Sequence, residues 1–190
     1  NLHDENEFVW IIDPLDGTTN FIHGFPQYCV SIALQHRGVI TQAVIYDPSR
    51  NDLFTATKGA GAFLNDKRLR VTKHDRIGNA LIATGFANRA NQSLDQYMQM
   101  QRVLIEKAQT VRNLGSAALD LAYIAAGRFD GFCLKGLKPW DIAAGSLMIT
   151  ESGGIVTDFK GESDYLYKGD IIAASPKVFG QMLTLLAPFA

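Results

Sequence analysis

Cysteine is nearly missing from this sequence: Cys29 and Cys133 are the two among 190 residues, and both lie inside apolar segments. That argues against a disulfide framework and suits a reducing compartment, where each thiol packs as a small apolar group. Long hydrophobic runs are also missing. None reaches the roughly 20 residues a membrane span needs, and the opening NLHDENEF has neither the basic nor the apolar region of a signal peptide. The expected location is the cytoplasm, with no membrane partner. An excess of one charge is absent too, with 18 Lys and Arg against 19 Asp and Glu. Without a basic stripe, no direct nucleic-acid partner is expected. Internal repeats, low-complexity tracts and long linkers are absent as well.

What is present is enough apolar residue, 47% of the chain, to bury a sizeable core. Short β-branched or aromatic runs at 8–13, 28–35, 39–47 and 52–58 are separated by turn-forming residues and predict an antiparallel meander. Residues 62–71 add a hairpin around Asn65 and Asp66. After about residue 75 the pattern changes. Strands at 80–84, 110–114, 129–133, 154–159 and 171–175 alternate with helical stretches, one opening at Ser93 with Gln96 three residues on. Further helices are expected from near Ser116 to Gly127, from about Asp141 to Gly153, and after Pro176. The fold class is therefore α/β, with an antiparallel-rich lobe over 1–74 and an α/β lobe over 75–190.

The stretch WIIDPLDGTTNF, residues 10–21, brings two acids, Asp13 and Asp16, to the end of an apolar strand. A turn explains Asp-Pro and Asp-Gly separately, but two neighbouring carboxylates repel unless a cation or donors sit between them. A hard divalent cation such as Mg²⁺ wants that oxygen set, to which the Leu15 carbonyl can add. Gly17 permits close backbone approach, and amides at the start of a helix at Thr18 can receive a phosphate. Far along the chain, KPWDIAAGSLM offers a third acid, Asp141, and RNLGSAALDLA places Gly115, Ser116 and Ala117 at a strand-to-helix junction. Alone, Asp141 reads as a helix N-terminal acid and Ser116 as an ordinary N-cap.

Together, WIIDPLDGTTNF and PWDIAAGSLMITESGG resemble the two signature motifs of the inositol monophosphatase family of Mg²⁺-dependent, Li⁺-sensitive phosphatases. The flanking segments, NLGSAALDLAYIAAGRFDGF among them, are most similar to its bacterial SuhB-type branch. The resemblance implies a layered αβαβα sandwich, usually dimeric. It implies that Asp13, the Leu15 carbonyl, Asp16 and Asp141 ligate the metal, and that Gly17 and Thr18 hold the phosphate. Thr18 would orient the attacking water, while Asp141 and Ala117 would touch the polyol. The implied activity is hydrolysis of inositol phosphate or a related polyol phosphate, with nucleotide-phosphate and fructose-bisphosphate phosphatases as relatives within the class.

The sequence departs from that pattern in two places. The family's glutamate pair upstream of the first motif has no counterpart, because Asp4, Glu5 and Glu7 stand too close to Asp13. The chain as given is therefore expected to show little or no phosphatase activity. Seven residues before Asp141, where inositol-handling members carry a glutamate, stands Leu134, so inositol 1-phosphate need not be the best substrate. Lys135 or Lys138 offers a weak replacement contact. The alternative implied function is that of an interaction protein of the bacterial transcription and ribosome-synthesis machinery, in which catalysis is dispensable. His3, His23, His36 and His74 show no metal-ligand spacing, and Tyr28 and Phe129 read as core.

Overall fold

The computed structural model describes residues 7–86 and 93–190. His3, Asp4 and Glu5 lie outside the described residues. The first half forms a six-stranded antiparallel sheet in chain order: β1 (Phe8–Asp16), β2 (Cys29–His36), β3 (Val39–Asp47), β4 (Asp52–Thr57), β5 (Gly61–Leu64) and β6 (Lys67–Arg68). A single helical turn, α1 (Thr18–Ile22), joins β1 to β2. Side chains alternate as the pleat demands, so Ile11, Ala33, Ala43, Ile45, Phe54 and Ala56 point to one buried face. The other face of β1 leaves Phe8, Trp10 and Ile12 exposed.

One boundary differs from expectation in an instructive way. The strand does not stop at Asp13: β1 runs on through Pro14 to Asp16, which pairs with Cys29 after a register shift between Asp13 and Asp16. Pro14 has no N–H to give a ladder, and a bulge on a strand at the end of the sheet is where such a residue is tolerated. The bulge keeps both aspartates on a rigid strand.

The second half adds β7 (Leu81–Thr84), α2 (Leu94–Lys107), β8 (Thr110–Arg112), α3 (Ala117–Ala125), β9 (Gly131–Leu134), α4 (Pro139–Glu151), β10 (Ile155–Thr157), α5 (Tyr165–Lys168), β11 (Ile171–Ala174) and α6 (Pro176–Leu186). The strands form a mixed sheet in the order β10-β11-β9-β7-β8, with β7 parallel to both β8 and β9. Ser93 caps α2 by accepting from the Gln96 amide at 3.4 Å, as its sequence predicts. Helix α4 starts two residues earlier than expected, because Pro139 needs no N–H partner in a first turn. The short α5 was not anticipated.

Helices α3 and α4 lie between the two sheets, and α4 touches strands of both. Leu119, Leu121, Ile142 and Met148 are fully buried there, in a core cluster shared with the first sheet, each worth about 2 kcal/mol. Gly145 of α4 packs so tightly on Leu121 that a side chain there would collide with it. On the far side of the second sheet, Met100 and Leu104 of α2 and Val178, Met182 and Leu186 of α6 cover Ile82, Cys133 and Ile172. The layers are thus sheet, helix pair, sheet, helix pair, a mixed α/β fold that agrees with the expected class. Among the described residues, no helix is long and apolar enough to cross a membrane.

Candidate active site

The bulge at the end of β1 and the first turn of α4 bring three acids together. One carboxylate oxygen from each of Asp13, Asp16 and Asp141 lies within 4.8 Å of the others. Asp13 Oδ1 accepts from the Leu15 amide at 3.0 Å, which folds the Pro14 step back on itself. The Thr18 hydroxyl donates to the Leu15 carbonyl at 2.9 Å. Gly17 adopts φ +82, and a Cβ there would sit 2.7 Å from the Gln27 carbonyl, so no other residue fits the turn into α1.

Asp16 reaches across to the second half of the chain. Its Oδ2 accepts from the Ser116 hydroxyl at 2.6 Å and the Ala118 amide at 2.9 Å. An acid from β1 therefore caps α3, and Ser116, which makes no cap bond of its own, serves Asp16 instead. Those donors are spent inside the protein. Asn20 ties the same junction by donating to the carbonyls of Gln27 and Leu114, each at 2.8 Å. Asp141, third residue of α4, accepts from the Lys138 amide at 2.8 Å.

The electrostatics of the three acids are unbalanced. Burial pushes the Asp16 carboxyl above its usual range despite the Ser116 and Ala118 bonds, and the Asp13 charge adds to the rise. Burial likewise pushes Asp141 up to about 6, with Asp16 and Asp13 raising it further. None of the ion pairs among the described residues involves the three. Three acids with hard oxygen donors and no ion-pair partner among the described residues, only the more distant Lys138 charge opposing the rise at Asp141, fit a divalent ion such as Mg²⁺.

A cavity of about 380 Å³ opens beside the acids. Asp16, Asp141, Ser116 and Asp120 give it polar groups, and Ala117, Phe132, Leu134 and Leu137 apolar ones. Leu134 and Ala117 are thus both in the wall. Gly17 and Thr18 adjoin the acids without lining the cavity. Lys135 turns away, donating to the Phe189 carbonyl at 2.6 Å and pairing with Asp170 at 3.4 Å, so it makes no replacement contact. Lys138 is exposed; its backbone amide bonds Asp141 and its charge adds a smaller lowering there.

The remaining candidates fall elsewhere. Glu7 pairs with Arg37 at 2.9 Å and with His36, and His74 pairs with Asp130. Phe129 is buried edge-on to Tyr123, whereas Tyr28 is half-buried against Phe21. Cys29 proves more than a small apolar filler, since its sulfur lies 4.0 Å from Asp16 Oδ2 and 3.9 Å from Ser116 Oγ. Burial, with Asp16 behind it, pushes that thiol well up, and burial lifts Cys133 to about 12, so both stay protonated. The residue missed from sequence is Asp120. Its signal was there: a lone charge in AALDLAYIA, a helix otherwise apolar throughout.

An antiparallel sheet and a mixed sheet clasping two helices, with acids converging from Asp-Pro-Leu-Asp and Pro-Trp-Asp, define a class, and the profile of the Inositol monophosphatase family matches residues 2–188. The chain belongs to that family. Its relatives include the Nus factor SuhB of Pseudomonas aeruginosa, 49% identical over 184 residues, covering 96% of this chain and 68% of that protein. The Nus factor SuhB of Escherichia coli is 49% identical over 179 residues, covering 94% and 67%. Among solved structures, the inositol monophosphatase of Anabaena (Nostoc) sp. superposes with a TM-score of 0.93 at 38% identity, covering 98% of this chain and 74% of that one.

Proposed function

We propose that this protein is a Mg²⁺-dependent phosphomonoester hydrolase acting on inositol phosphate or a related polyol phosphate. The observation that carries the reading is the meeting of Asp13, Asp16 and Asp141 within 4.8 Å, beside a cavity and with none of the three in an ion pair among the described residues. When bound, Mg²⁺ supplies charge neutralisation on the phosphate and acidifies a water for in-line attack. Asp13, Asp16, Asp141 and the Leu15 carbonyl would hold the ion. The Thr18 hydroxyl, already directed at Leu15, orients the attacking water, and the Gly17 and Thr18 amides receive phosphate oxygens. Asp141 and Ala117 flank the alcohol portion, and no covalent enzyme intermediate is required. The reading includes a cytoplasmic homodimer inhibited by Li⁺, with lobes 1–74 and 75–190 contributing one motif each.

The test is phosphate release by the full gene product from inositol 1-phosphate and a panel of polyol phosphates with Mg²⁺. Asp13→Asn should lower kcat/KM by about a hundredfold or more, since it removes a charged ligand. Wild-type protein that releases no phosphate from any member of the panel sinks the reading.

A second reading is supported by what two relatives are called, Nus factor SuhB. In it the protein is an interaction partner of a complex of the bacterial transcription and ribosome-synthesis machinery, with catalysis dispensable. Asp13→Asn should then leave binding to such a complex unchanged; loss of binding in step with turnover would refute the separation.

A further inference from the structure

Asp120 is an anomaly within α3. The residue is 2% exposed, and its Oδ1 has no hydrogen-bond partner. A buried carboxyl oxygen left unpaired is costly, and native structures rarely keep one without a use. Burial, reinforced by the Asp16 charge, holds this carboxyl well above the usual range.

Its location gives the cost a purpose, because Asp120 lines the cavity beside Asp16 and Asp141. Asn113 also lines the cavity but is exposed, and the other buried polar groups of the wall are already committed. Ser116 donates to Asp16, and the Thr84 hydroxyl accepts from Gln101 at 3.1 Å. Leu134, also in the wall, is apolar and offers no polar side-chain contact. The one buried polar side chain of the wall with an unspent oxygen is Asp120.

We propose that Asp120 hydrogen-bonds a hydroxyl of the alcohol half of the phosphomonoester and so sets which polyol phosphates the cavity accepts. The inference rests on the phosphatase reading for its substrate class, yet it predicts binding selectivity whether or not turnover follows. A pocket group that must be paired penalises a ligand lacking the hydroxyl, because binding that ligand shuts the carboxyl away from water unpaired. Such a residue acts on selectivity and leaves the phosphate end untouched.

The experiment uses the full gene product with Mg²⁺ present and calorimetric titration of two probes, inositol 1-phosphate and propyl phosphate, which has no hydroxyl. Wild-type protein should prefer the polyol phosphate by about tenfold or more. Asp120→Leu should weaken the polyol phosphate by about tenfold and leave propyl phosphate unchanged, and Asp120→Asn should keep most of the preference. Removing a buried unpaired oxygen should also leave the melting temperature of Asp120→Leu at or above that of wild type. Four results overturn the inference: no preference in wild type, preference surviving in Asp120→Leu, equal weakening of both probes, or a fall of more than about 10 °C in melting temperature. Phosphate release by the same samples separates the two readings. Preference lost as expected without any turnover keeps Asp120 as the selectivity residue and discards hydrolysis; turnover with unaltered preference does the reverse.

Discussion

Two Asp-Pro steps lie on strands of the same sheet, and their chemistry diverges within three residues. Asp13-Pro14 is followed by Asp16, whereas Asp47-Pro48 is followed by Arg50. At the second, Asp47 Oδ1 accepts from the Ser49 hydroxyl at 2.5 Å, the Ser49 amide at 2.9 Å and the Arg50 amide at 3.2 Å, while Oδ2 takes the Arg50 guanidinium at 2.7 Å. Burial alone would push that carboxyl up, but the Ser49 and Arg50 bonds together hold it below the usual range. At the first, the corresponding position holds another acid, and Asp16 and Asp141 are both pushed up. One turn closes on itself and is complete, while the other is left with charge it cannot balance from within. Similar backbone grammar therefore yields a structural acid in one place and a ligand site in the other.

The comparison can be broken most decisively at Asp47. Asp47→Ala strands three donors and a guanidinium, and should cost about 3 kcal/mol in a denaturant melt; a loss below about 1 kcal/mol would mean that the closed turn contributes little. The opposite sign is expected at the other turn's partner. In cation-free buffer at pH 7, Asp141→Asn should stabilise the protein by about 1 kcal/mol through relief of buried repulsion, and an equally large destabilisation would place Asp141 with Asp47.

The smallest effect sharpens the contrast through pH. Asp141 is raised from 3.8 to about 6 in the folded protein. Between those values the native state holds a proton that the unfolded chain has released, so stability falls as pH rises. Its contribution is fully present below about 4 and gone above about 6. Asp47, lowered, contributes in the other direction, with stability lost as pH falls through its folded value. Melts from pH 4 to 7 without cation should therefore lose their Asp141 slope in Asp141→Asn, and keep it in wild type.

Much of this was legible in the sequence because it rests on local signals. Alternating apolar residues gave β2 to β4, Ser93 gave the start of α2, and Asp13, Asp16 and Asp141 stood out as acids next to proline, glycine and tryptophan. What local signals cannot show is who receives a side chain's bonds. Ser116 looked like a cap for its own helix, yet it serves an acid on another sheet. Asp120 looked like one residue of an apolar helix until the cavity beside it was seen. The continuation of β1 past Pro14 depended on its place at the end of the sheet, a tertiary fact.

Asn20 has one more consequence, for the order of folding. Its amide joins Leu114 across 94 residues, and Asp16 meets Ser116 and Ala118 across 100 and 102. Contacts of such sequence separation close large loops and are costly to form before local structure exists. The meander of the first sheet can assemble from neighbouring strands while Asp141 remains far from Asp13 and Asp16 and all three are hydrated. The repulsion that Asp141 adds is thus deferred until the surrounding layers are already in place to bear it.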